Sequence, residues 1–232
     1  MRSRSGVVFR LSHLGLALSL CITAAAWSAE PPTALDTWLS GLTSLRAQFT
    51  QTIKDTHGHQ TDQTSGELLV LRPGRFRWES RDDPSAGGAS SSGAAPSADS
   101  GQVLIADGRN VWFYDRDLQQ VTVKPIDAAL SATPIMLLSG GAEVRQAFDI
   151  SDAGSKQGVS WLRVKPRATD ADFRQALLGF AGGELRQMIL DDKLGQVATL
   201  TFNRSQRNAP VAVSEVSFAP PQGVDVIGKP QQ

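Results

Sequence analysis

The chain has 232 residues, with 23 Lys+Arg against 23 Asp+Glu and therefore no formal net charge. That length suits one domain, or one domain with decorations, and buries a core without covalent staples. The balanced charge, with no basic stripe, argues against a dedicated nucleic-acid binder, and a single cysteine, Cys21, excludes a disulfide framework.

The first residues read as a secretory signal peptide. "MRSRSGVVFR" carries Arg2, Arg4 and Arg10 and no acid, and an apolar run from Leu14 to Trp27 follows it. The run is short for a membrane span, and Ala24, Ala25 and Ala26 supply the small residues of a cleavage site. The expectation is removal of residues 1–26, with Ser28 or Ala29 as alternative last residues of the segment. Leu20 precedes Cys21, which does not fit the small residue that bacterial lipoprotein acylation requires there. Cleavage after Ala26 removes three arginines and no acid, leaving a cysteine-free chain of net charge −3. Residues 30–232 read as a single domain.

Leu35, Trp38, Leu39, Leu42 and Leu45 recur at helical spacing behind a capping Thr33 and predict an amphipathic helix over Ala34–Leu45. Strand patterns then dominate. "RAQFTQTIK", "GELLVLR", "RFRWES", "QVLIAD", "NVWFYD" and "LQQVTVKP" are separated by a polar loop, "DTHGHQTDQTS", and by turns at Pro73-Gly74 and Asp107-Gly108. "GVSWLRVKP", "ADFRQALLGF", "GELRQMILDD" and "QVATLTFNRS" continue the series, and "AVSEVSFAPPQGVDVI" adds one more strand and an extended tail. Roughly ten strands on short turns favour an antiparallel sheet, curled or closed, over a parallel α/β fold.

Two segments interrupt the pattern. "DAALSATPIMLLSGGAEVRQAF" lacks alternation; Thr133-Pro134 reads as a helix start and Gly140-Gly141 as its stop, which predicts short helices laid across the sheet. The stretch 82–101 is rich in Gly, Ser, Ala and Pro and offers little to bury, so it reads as a loop insert within the domain.

The sequence offers little for catalysis. It has no G-x-S-x-G elbow, P-loop or G-x-G-x-x-G, and no cysteine outside the signal segment. His57 and His59 sit in a polar loop with no third ligand nearby in sequence, and Asp191-Asp192 reads as a turn. No catalytic, cofactor-binding or metal-binding residue is expected, and no enzyme activity. The notable resource is apolar: Trp38, Trp78, Trp112, Trp161, Phe76, Phe113, Met136 and Leu138. Most of these are ordinary core residues, but a half-closed sheet under a loose helical lid would also leave an apolar cavity.

"GELLVLRPGRFRWE", "IADGRNVWFYDRDLQQVTVKP", "TPIMLLSG" and "FAPPQGVDVI", in that order, resemble the outer-membrane lipoprotein carrier protein family, LolA. The likeness runs over roughly Leu35–Ile227. It implies a mainly β fold: an unclosed antiparallel β-barrel (half-barrel) covered by an α-helical lid. It implies a soluble, monomeric periplasmic chaperone with no cofactor. Such a chaperone takes acylated lipoproteins from an inner-membrane ABC-type releasing complex, shields their acyl chains and delivers them to an outer-membrane lipoprotein receptor. The residues carried over for the acyl-chain cavity and lid are Arg72, Phe76, Trp78, Trp112, Ile135, Met136 and Leu138. In the family the Arg of the "RP" pair bonds to lid carbonyls, which gives Arg72 that role by resemblance. The insert at 82–101 departs from the family, where this connection is short.

Alternation puts Phe76 and Trp78 on one face of a strand, as container wall, and Arg75 and Arg77 on the other, as solvated outer face. A tight two-residue hairpin at Pro73-Gly74 would pair Arg72 with Arg75 and point it outward, whereas a looser turn would let it reach a lid. The alternative functions are a lipid- or glycolipid-binding or lipoprotein-sensing protein of the same half-barrel shape, and a hydrolase with dispersed acids.

Overall fold

The computed structural model describes residues 33–82, 100–129, 135–141 and 145–231. The expected signal segment, residues 83–99 of the low-complexity insert and the Thr133-Pro134 helix start lie outside these residues.

Among the described residues one sheet of twelve strands organises the fold, in the order β12-β6-β5-β4-β3-β2-β1-β11-β10-β9-β8-β7. The strands are β1 (Ser44–Lys54), β2 (Gln60–Leu71), β3 (Arg75–Asp82), β4 (Gln102–Asp107), β5 (Asn110–Asp115), β6 (Gln120–Pro125), β7 (Phe148–Lys156), β8 (Val159–Pro166), β9 (Phe173–Ala181), β10 (Glu184–Asp192), β11 (Val197–Arg207) and β12 (Asp225–Ile227). Neighbours pair antiparallel, except that β12 runs parallel to β6. The two ends of the sheet, β12 and β7, do not pair, so the sheet stays open. The mainly β, unclosed half-barrel expected from the sequence is the fold observed.

Register sorts the side chains into two faces. Phe49 lies opposite Phe202 and Gly66, Leu68 opposite Trp78, and Phe76 opposite Val70 and Ala106. Continued across the sheet, this face carries Leu162, Leu178, Met188 and Leu200, which form one buried cluster with Phe49, Leu68, Val70, Phe76, Ala106 and Phe202, and Trp78 packs against it. Two short helices, α1 (Ala34–Leu39) and α2 (Met136–Ser139), join the same cluster through Leu35, Trp38, Met136, Leu137 and Leu138. The opposite face holds a second cluster, Val103, Ile105, Trp112, Tyr114, Val121 and Val123, packed against Phe218 and Val224 of the C-terminal segment. That segment is fixed at its end by Asn110, whose side chain exchanges two hydrogen bonds with the Gln231 backbone.

Four expectations need correction. The first helix stops at Leu39, because Ser40 turns extended and Gly41 takes φ +69, so Leu45 enters β1 instead of the helix. Its start is as expected: Thr33 and Asp36 form a reciprocal capping box. Strand β2 begins at Gln60, inside the supposed polar loop, because β1 offers partners as far as Lys54. "FDISDAGSK", outside the strands expected from the sequence, forms β7, paired with β8. Within the C-terminal run, Val213–Val216 is a 3-10 turn and the strand is only Asp225–Ile227.

Gly66 shows how tightly the faces are set. A Cβ there would lie 2.0 Å from the Glu79 carbonyl oxygen and 2.6 Å from Phe49 Cζ. The first of these is backbone and cannot swing aside. Gly66→Ala is expected to lower the melting temperature by at least about 5 °C, read by thermal denaturation; an unchanged melting point would show that the β2–β3 ladder yields at this position.

Candidate functional site

The β2–β3 connection settles where Arg72 points. Leu71 pairs with Arg75, so Arg72, Pro73 and Gly74 form a three-residue loop, the looser of the two turns considered, with Gly74 at φ +74. The Arg72 backbone N–H donates to the Thr43 carbonyl at 2.9 Å, and the Gly74 N–H donates to Ser139 O of α2 at 2.7 Å. The guanidinium turns toward the helices. Nη1 donates to Leu39 O, at the end of α1, at 3.0 Å, and Nη2 donates to Gly140 O, just past α2, at 3.0 Å.

Carbonyls at helix ends have no intrahelical partner, so one cation answers the C-terminal ends of both helices at once. Burial pushes the Arg72 pKa down from the usual arginine value, but arginine stays protonated in proteins. Arg72 also lines a cleft of about 280 Å³ with Asp36, Leu39, Leu137, Gly140 and Arg145.

The two helices are held differently. Around α1, Trp38 Nε1 donates to Glu184 Oε2 at 3.2 Å and Arg207 Nη2 donates to Trp38 O at 2.7 Å. The Arg207 guanidinium also lies 5.7 Å from the centre of the Trp38 ring. Asp36 pairs with Arg145 at 3.3 Å; burial raises the Asp36 pKa, but hydrogen bonds from Thr33 and the charge of Arg145 outweigh it and leave it lowered. For α2, the polar ties to the β2–β3 loop among the described residues are those from Gly74 and Arg72. Its four residues are all buried, as is Ile135 at 5 % exposure, so apolar contact supplies most of its attachment.

Six of the seven residues singled out from the sequence come together on this side. Phe76 is fully buried, Trp78 stacks on Phe49 with ring centres 5.4 Å apart, and Ile135, Met136 and Leu138 belong to the same buried cluster. Trp112 is not among them. It lies opposite Ile105, which lies opposite Arg77, so register places it on the outer face, where it meets Phe218 at 5.6 Å. Its indole N–H donates to Asp107 Oδ2 at 2.7 Å, while Asp107 Oδ1 accepts from the N–H groups of Arg109 and Asn110. The Asp107-Gly108 turn and Trp112 are thus one structural unit.

The outer face is less solvated than alternation suggested. Glu79 accepts from Arg77 at 2.9 Å, from Arg81 at 2.7 Å and from Arg116 at 2.9 Å. Burial would raise its pKa, but the bonds from Arg81, Arg77 and Arg116 dominate and lower it to about 2. Arg77 is therefore engaged in an ion cluster and is only 26 % exposed. The run Arg75, Arg77, Glu79, Arg81 at every second position was a readable signal of that cluster. Phe49, Gly66, Glu184 and Arg207 had no such local signal, because their partners are distant in sequence.

His57 and His59 are exposed at the β1–β2 turn, and their rings face Asp55 at 3.9 and 3.5 Å. Among the described residues no group of three or more His, Cys, Asp or Glu side chains is placed to hold a metal ion, and no helix is long and apolar enough to cross a membrane.

The family model of the outer membrane lipoprotein carrier protein LolA matches residues 40–86 and 96–219. The chain belongs to this family. Similar relatives are the outer-membrane lipoprotein carrier proteins of Dechloromonas aromatica, 34 % identical over 84 % of this chain and 86 % of that one, and of Nitrosomonas europaea, 34 % identical over 91 % and 96 %. The carrier protein of Methylobacillus flagellatus is 32 % identical over 94 % of this chain and all of its own. Among solved structures, a LolA superfamily protein from Nitrosomonas europaea aligns at 11 % identity with a TM-score of 0.43, covering 80 % of this chain and 96 % of that one.

Proposed function

We propose that the chain is a soluble periplasmic carrier. It takes lipoproteins released from the inner membrane by an ABC-type complex, shields their acyl chains against the covered face of the sheet and passes them to an outer-membrane receptor. The role requires no catalytic step. The observation that carries this reading is the Arg72 bridge. A continuous apolar face lies under two short helices, and one cation ties the ends of both helices together.

The energetics suit transit. Each buried CH₂ is worth about 0.8 kcal/mol, so an acyl chain strongly favours any apolar shelter over water. A carrier that held its cargo with all of that energy would never release it. Displacing α2 from the sheet costs part of the acyl burial and leaves the net affinity moderate. Met136, unbranched and polarisable, can repack around chains of different shape.

The test is release. Spheroplasts bearing the releasing complex are incubated with the purified chain lacking residues 1–26. The expected result is a soluble one-to-one complex with a lipoprotein that then passes cargo to the outer-membrane receptor. Failure with an active releasing complex and several cargoes would reject the carrier reading in favour of a lipid-binding or lipoprotein-sensing protein.

A further inference from the structure

The indole nitrogen of Trp78 is buried and has no hydrogen-bond partner among the described residues. Trp78 belongs to the covered face, opposite Leu68 on one side and Leu104 on the other. Its ring cannot readily turn to find a partner. Phe49 stacks on it with planes 18° apart, and Phe49 is itself seated over Gly66, where no side chain would fit. Two other tryptophans satisfy the same group: Trp38 donates to Glu184 and Trp112 to Asp107. Two residues from Gly66 on the same face of β2, Thr64 is 8 % exposed and its hydroxyl also lacks a partner.

A buried donor left unpaired is destabilising, and phenylalanine would fill the same wall without that cost. An indole N–H donates only, so the missing partner is an acceptor. On a fatty acyl chain the strongest acceptor is the carbonyl oxygen of the ester or amide at its head. We propose that Trp78 Nε1 donates to an acyl carbonyl of bound cargo, with the Thr64 hydroxyl as a second polar group on the same face. This contact sets the depth at which hydrocarbon gives way to the polar head. The inference rests on the carrier reading and assigns one specific contact within it.

Two probes separate the carbonyl from the chain. One is a short cysteinyl peptide carrying an S-linked dioctanoylglyceryl group; the other is its all-carbon counterpart, in which methylenes replace each ester carbonyl and ester oxygen, so that the chains have the same length and no acceptor at their heads. Binding of each is measured by calorimetry to the protein lacking residues 1–26, to Trp78→Phe and to Trp78→benzothienylalanine, which replaces the N–H by sulfur at nearly constant shape. The expected result in both variants is a loss for the ester probe about 5- to 20-fold larger than any loss for the all-carbon probe. Thermal stability of the empty variants should be equal to or above that of the parent. Equal weakening of both probes, or weakening of neither, would overturn the carbonyl contact and leave the carrier reading standing. Failure of the parent protein to bind either probe would overturn both. Should Trp78→Phe fold poorly, the benzothienylalanine variant decides alone.

Discussion

Arg72→Leu is expected to leave the sheet folded and to shift the cover toward its open arrangement by roughly 100-fold. Each of the two guanidinium–carbonyl bonds, both at 3.0 Å, is a hydrogen bond to a charged group, of the kind worth about 1.5–3 kcal/mol. Part of that is returned because the buried cation no longer has to be desolvated, and a net of about 3 kcal/mol corresponds to two orders of magnitude. Only the closed, empty state loses these bonds, so cargo binds the variant at least as tightly as the parent and leaves it more slowly. Loading should therefore be retained and transfer to the receptor slowed by more than about tenfold. Amide exchange over Met136–Gly140 should accelerate while α1, held also by Arg207 and Glu184, changes less. Parent-like exchange in α2 together with parent-like transfer would remove Arg72 from the mechanism.

The second large effect lies on the outer face. Glu79→Ala leaves Arg77, Arg81 and Arg116 facing one another around an empty position, and Glu79 and Arg116 are both only 17 % exposed. Breaking a half-buried pair by deleting one partner costs roughly 3 kcal/mol, so the melting temperature should fall by about 5–10 °C. The same carboxylate makes the fold sensitive to acid. Its folded pKa, about 2, lies below its ordinary value of 4.5, so the folded state takes up a proton less readily than the unfolded one. The stabilisation is complete above about pH 4.5 and is lost as pH falls toward 2. Melting temperatures between pH 6 and 2.5 should fall more steeply for the parent than for Glu79→Gln; parallel curves would show that the cluster contributes no proton-linked stability.

Much of the architecture was legible because one face of each strand is apolar. Alternation in "RFRWES" and "QVLIAD" assigns each side chain to a face of its own strand, and the turns at Pro73-Gly74 and Asp107-Gly108 mark real reversals. Alternation does not say which faces of neighbouring strands coincide. The family resemblance groups Trp112 with the cover, and alternation within its own strand cannot test that grouping; the Ile105 pairing sends it outward. In the Glu79 cluster the alternating charges of β3 are legible, but Arg116 is not, because it comes from beyond β5. Strand β12 gave little pattern because its three residues are exposed and owe their place to a parallel ladder with β6. The direction of Arg72 depended on one extra loop residue, which the dipeptide Pro73-Gly74 could not specify.

The central claim is that acyl chains lie against the covered face of the sheet. Photo-crosslinking tests it most directly. A photoreactive p-benzoylphenylalanine replaces Trp78 on the covered face or Tyr114 on the outer face, and each protein is loaded with lipoprotein by the releasing complex before irradiation. The account predicts crosslinks to the acylated N-terminus of the cargo from position 78 and none from position 114. Crosslinks from position 114 in place of position 78 would contradict it.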